Sequence, residues 1–123
     1  MHALRRAALA ALGAPFVWLG YEAASEPGGR VALAAGLGVP WPEASVRLNG
    51  AAMVAGGVAL VLGIQPRLAA AGLVASMVPT TLAGHSFWTH EDPAARTANR
   101  VQFLKNLGLV GGLVVVAAGD QRT

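Results

Sequence analysis

Four stretches of this 123-residue chain contain no Asp, Glu, Lys or Arg: Ala7–Tyr21, Leu48–Pro66, Leu68–Gly84 and Asn106–Gly119, of 15, 19, 17 and 14 residues. A helix needs about 20 apolar residues to cross about 30 Å of hydrocarbon. The shorter runs reach that length once their edges are included. Arg5, Arg6 and Lys105 have long apolar stems, so their backbones can lie deeper than their charges. The pattern predicts four transmembrane helices, near 4–23, 47–65, 67–85 and 99–118. It gives a single domain over 1–123, all-α, folded as an integral membrane up-down four-helix bundle. A soluble bundle is the competing arrangement, but its helices would each need a polar face, and Leu48–Pro66 has none.

Composition sharpens this. Mean hydropathy is only +0.53 although 54% of residues are hydrophobic, because the apolar mass is largely Ala and Gly. The membrane assignment therefore rests on the absence of charge within the runs. The chain has no cysteine, which excludes disulfides, thiol redox chemistry, Cys-ligated zinc and Cys-held iron–sulfur clusters. The net charge of +3 comes from nine Lys and Arg scattered between apolar runs. They form no stripe, so nucleic acid is not an expected partner. No metal or haem site is expected either, since His85 and His90 are five residues apart across a turn.

The connections carry their own signals. Ala23-Ala24-Ser25 would suit a signal-peptide cleavage site, but Trp18 and Tyr21 just before it suit an interfacial anchor of a retained helix. Ser25 to Gly29 is turn material, and Pro40-Trp41-Pro42 is an extended or turn unit. Between them Val31–Val39 is apolar but too short to span, and is expected to lie at the interface or cap the bundle. Gln65-Pro66-Arg67 leaves room only for an antiparallel hairpin, with Pro66 in a first helical turn. Asp92-Pro93 reads as an N-cap followed by the first helical residue, so the fourth helix can begin outside the membrane. Gly108 with Gly112, Ala52 with Gly56, and Gly72 with Ser76 have small-xxx-small spacing. Packing within the molecule is expected there, a homo-oligomer face being the alternative. Pro15 and Pro79 fall inside spans, where Thr80 and Thr81 hydroxyls can take up carbonyls freed by the second proline.

Parity then sorts the polar residues. With four alternating spans, one side of the membrane collects Glu22, Arg47, Asn49, His85, Trp88, His90, Asn99, Arg100, Gln102, Lys105 and Asn106. The other holds little beyond Arg5, Arg6, Gln65, Arg67, Asp120 and Arg122. Arg5-Arg6 ahead of the first helix favours N-in, C-in. Asn99, Gln102 and Asn106 share a face of the fourth helix. Asn106 lies within the apolar run and should bond another helix. Lys105 either snorkels to the interface or points inward to Glu22 or a ligand. His85 and Trp88 are either interfacial anchors or part of a site. The candidate ligand- or partner-binding residues are thus His85, Trp88, Lys105, Asn106, Gln102 and Glu22. No nucleophile constellation, phosphate loop or carboxylate pair accompanies them, so the catalytic residues, if there are any, are not identified.

Several segments, in order, resemble the DoxX family of small four-helix membrane proteins. Gly56 to Gly63 followed by Pro66-Arg67-Leu68-Ala69-Ala70 is similar to the family's second-to-third helix hairpin. Ala83-Gly84-His85-Ser86-Phe87-Trp88 is similar to its close of helix three. Gln102-Phe103-Leu104-Lys105-Asn106-Leu107 with Gly111-Gly112-Leu113 is similar to its entry to helix four. The resemblance is carried by Arg47 to Val116 and is only general in the N-terminal third. It departs at Met53 or a neighbour, where many members carry a glutamate. It implies a location in the bacterial inner (cytoplasmic) membrane. It also implies a non-haem small subunit or partner of a membrane redox system, with quinone as candidate ligand and a soluble or membrane redox protein as candidate partner. A non-catalytic scaffold or assembly protein is the alternative, and an oligomeric transporter a third reading.

Overall fold

The computed structural model describes residues 2–84 and 87–119. Five helices follow one another: α1 (Ala3–Ser25), α2 (Gly29–Gly36), α3 (Pro42–Leu62), α4 (Pro66–Gly84) and α5 (Pro93–Ala118). A 3₁₀ turn, Phe87–Thr89, lies between the last two. All but α2 are long and apolar enough to cross a membrane, and together they form a membrane helical bundle. The eight residues of α2 are too few to span.

Local chemistry fixes the ends. The side chain of His2 accepts from the Leu4 amide at 3.2 Å and caps α1. The Asp92 carboxylate accepts from the Ala95 amide at 3.0 Å, with Pro93 opening α5, as that dipeptide predicts. At the other end of α3, Gly63 takes a left-handed conformation (φ 71°) that lets Gly63 and Ile64 donate back to Leu60 and Ala59. The turn is complete at Gln65, and α4 begins at Pro66.

The predicted helix bounds shift at the helix ends. The second span begins at Pro42 rather than near 47, and ends at Leu62 rather than 65. Proline needs no amide partner in a first turn, and Glu43 suits the positive end of the helix dipole, so α3 starts ahead of its charge-free run. The third span closes at Gly84, and α5 extends to Pro93, ahead of its hydrophobic part.

Packing is tightest between α1 and α3. A Cβ at Gly13 would sit 2.6 Å from the Gly57 carbonyl oxygen, and one at Gly20 would sit 2.6 Å from that of Gly50. Two glycine pairs, seven residues apart on each helix, thus let the backbones touch. Such close approach is the main source of helix association where lipid supplies no hydrophobic drive. The small-residue pairs singled out by spacing behave differently. A Cβ on Gly108 or Gly72 would meet nothing within 4 Å, and on Gly112 only Leu12 at 3.9 Å. The expectation of packing within the molecule is therefore corrected for Gly108 and Gly72, while Gly112 lies in ordinary contact range of α1. Gly56 does admit Leu73, but Ala52 is exposed. Leu60, Leu73 and Leu113 are fully buried and meet Leu9 and Phe16 of α1, so all four long helices share one apolar core.

Candidate functional site

The two halves of the polar end are assembled by separate contacts. Arg47 of α3 donates to the carbonyls of Ala24 (2.7 Å) and Ser25 (3.3 Å), closing the C-terminus of α1. The same guanidinium meets Glu43, one turn earlier on α3, at 3.1 Å. A cation on terminal helix carbonyls satisfies orphan acceptors and complements the dipole. On α4, Ser76 donates to Asn49 of α3 at 2.8 Å. Asn106 of α5 donates to the buried Thr81 hydroxyl of α4 at 3.0 Å. Asn106 therefore faces the bundle and bonds another helix, as an amide within an apolar run must.

Thr80 does not bond the Ala75 carbonyl, the one left without an amide by Pro79. Its hydroxyl donates to the Ser76 and Met77 carbonyls, both at 3.0 Å, within the turn preceding the proline. Thr81 instead serves Asn106. Phe87, Trp88 and Phe103 form an edge-to-face triad with centroids 5.3–5.6 Å apart, which ties the 3₁₀ turn to α5. Trp18, Tyr21, Trp41 and Trp88 all lie at this end and are exposed. Amphipathic rings in that position suit a bilayer interface.

Between these contacts lies a cleft of about 630 Å³. Leu19 and Ala23 of α1 form one wall, and Gln102 and Asn106 of α5 stand on another. Asn49 and Met53 of α3 and Thr80 of α4 contribute lining between them, and Leu33, Ala34 and Leu37 of α2 add an apolar side. The short helix packs on α3 and α4. The volume falls in the range of small-molecule sites, and mostly apolar walls with a few polar groups are their usual makeup. The charged member of the lining, Arg30, is engaged at the rim with Glu22 (4.0 Å) and the Glu26 carbonyl (3.4 Å).

The sequence-derived site residues divide accordingly. Gln102 and Asn106 are brought together on the cleft wall. Glu22 accepts from Trp18 Nε1 at 3.0 Å and pairs with Arg30. The anticipated Lys105–Glu22 pair is not formed. Lys105 is exposed and lies about 100° around α5 from Asn106, away from the cleft. Trp88 belongs to the aromatic triad, and His85 lies outside the described residues.

The DoxX family model matches residues 6–86. The chain belongs to the DoxX family. No curated protein and no solved structure matches it. The DoxX match takes in α1, which the sequence motifs related to the family only generally. It ends before Phe103–Leu107, the segment that resembled the family's entry to helix four. Together with the four spanning helices, it makes this an integral membrane protein.

Sequence reasoning missed that Met53, Thr80 and the apolar side of α2 line one space. The partners of Asn106 and Asn49 were also missed. A signal for the partners was present, because Ser76 and Thr81 are polar residues stranded within a charge-free run, as Asn106 is.

Proposed function

We propose that this DoxX protein is a small membrane subunit or partner of a quinone-linked redox system, and that the cleft receives the quinone headgroup. The observation that carries this is the cleft's combination of apolar walls with neutral amides. Gln102 has no side-chain partner among the described residues, and Asn106 uses one amide proton on Thr81. A quinone carbonyl accepts from such an amide, and a quinol hydroxyl donates to its oxygen. Arg30, the charge at the rim, is already paired, which favours a neutral headgroup over a phosphate. The position that the family resemblance gives to a glutamate, near Met53, lines this same space and is uncharged here.

In this reading the chain binds and orients, and a partner redox protein supplies the two electrons that convert quinone to quinol, with two protons taken from the aqueous side. A scaffold role is the alternative, because the Asn–Ser and Asn–Thr pairs would serve folding equally well. The test is titration of a short-chain benzoquinone into protein reconstituted in lipid nanodiscs, read by quenching of the tryptophans, all of which lie at this end. Saturable quenching is expected, weakened by Gln102→Leu and by Ala34→Leu, which fills the cleft from α2. Linear quenching that neither variant changes would leave the scaffold role.

A further inference from the structure

At the opposite end of the bundle, two guanidinium nitrogens of Arg5 have no partner among the described residues. Arg5 is half-buried and shares the inward face of α1 with Leu9 and Phe16, four and eleven residues on. Its Nε and Nη2 are sealed from solvent and make no hydrogen bond. The neighbouring arginines are occupied differently. Arg6 donates to the Leu62 carbonyl at the end of α3 (3.5 Å), and Arg67 to the Ala117 carbonyl at the end of α5 (3.0 Å). Both thereby cap helix C-termini. Every acid among the described residues (Glu22, Glu26, Glu43, Glu91, Asp92) lies at the cleft end. Three permanent cations therefore lie at one end with no counter-charge among the described residues.

A guanidinium does not deprotonate, and donors sealed without an acceptor forfeit their hydration. We propose that Arg5, at the end of the bundle that also carries Arg6 and Arg67, binds the phosphate of an anionic phospholipid. The planar fork matches phosphate oxygens in pairs, and basic pockets between transmembrane helices are suited to anionic headgroups. The long stem lets the guanidinium turn from its sealed position toward the headgroup plane. Leu4 and Leu68, adjacent in sequence to Arg5 and Arg67, are each 72% exposed. They offer apolar surface to acyl chains beside the cations, which favours a lipid over free phosphate.

The experiment is thermal unfolding of the full chain in neutral detergent, with phosphatidylglycerol, phosphatidylcholine or inorganic phosphate added. Phosphatidylglycerol is expected to raise Tm and the other two to leave it unchanged. Arg5→Gln should lose most of that rise while unfolding no earlier than the parent in neutral detergent, since it removes the unpartnered donors. Arg5→Lys should keep only part of the rise, having charge without the fork. An equal rise with phosphatidylcholine, an equal rise with phosphate alone, or a full rise in Arg5→Gln would each overturn the proposal. So would Arg5→Gln and Asp120→Asn both lowering Tm in neutral detergent, and by the same amount. That result would make the chain's own acid, which lies outside the described residues, the partner of Arg5.

Discussion

Asn106 and Thr81 meet at 3.0 Å between α5 and α4, and Asn49 and Ser76 meet at 2.8 Å between α3 and α4. Each pair places two polar groups from charge-free runs against one another between helices. Such interhelical bonds contribute about 0.6 kcal/mol on average and up to about 1.7. Asn106→Leu is expected to destabilise the bundle by that amount, and Thr81→Val by a similar one. The double variant should cost little more than the worse single, because both remove the same bond. Reversible unfolding in mixed detergent micelles checks this, and strictly additive losses would mean the two residues act separately. That Asn106 turns inward was legible in the sequence, since an amide in a charge-free run has few other places to go. Its partner was not, because any hydroxyl on the neighbouring helices would serve equally well. The fate of Lys105 was left open for a similar reason: a long stem allows either a buried pair or an exposed charge, and here it is exposed.

At the level of helices, the four spans could be read from uncharged length alone, and their caps from Asp92-Pro93 and Pro66. Helix rotation could not. Lipid and protein core are both apolar, so the side of a helix that meets its neighbours carries no hydrophobic signature distinguishing it from the side that meets acyl chains. That is why Gly108 and Gly112 looked like a packing face, whereas Gly13, Gly20, Gly50 and Gly57 form the actual contact. Gly57→Leu should therefore cost about 1–3 kcal/mol or more by overpacking, because the obstacle is backbone of α1. Gly108→Leu, pointing into open space, should change monomer stability by no more than about 0.5 kcal/mol. Unfolding of both variants in detergent separates the two, and a large loss in Gly108→Leu would reveal a contact with a second copy. The position of α2 was equally hidden. An eight-residue apolar segment signals burial of one face, but the surface it covers is set by the long helices beneath.

The whole molecule is asymmetric along its axis. One end holds the described acids, the exposed tryptophans and the cleft. The other holds Arg5, Arg6 and Arg67. Between them Leu60, Leu73 and Leu113 close the bundle with apolar side chains. Sequence parity captured this asymmetry, because alternation of four spans fixes which ends share a side whatever their rotation. It could not show that the polar end is hollow, since a cleft depends on how far α1 and α5 diverge. The most direct test of the central claim is native mass spectrometry, with lipid extraction, of protein released gently from its own membranes. The account predicts a co-purifying quinone, retained by the parent and lost in Gln102→Leu and Ala34→Leu. A parent carrying only bulk phospholipid, indistinguishable from both variants, would contradict it.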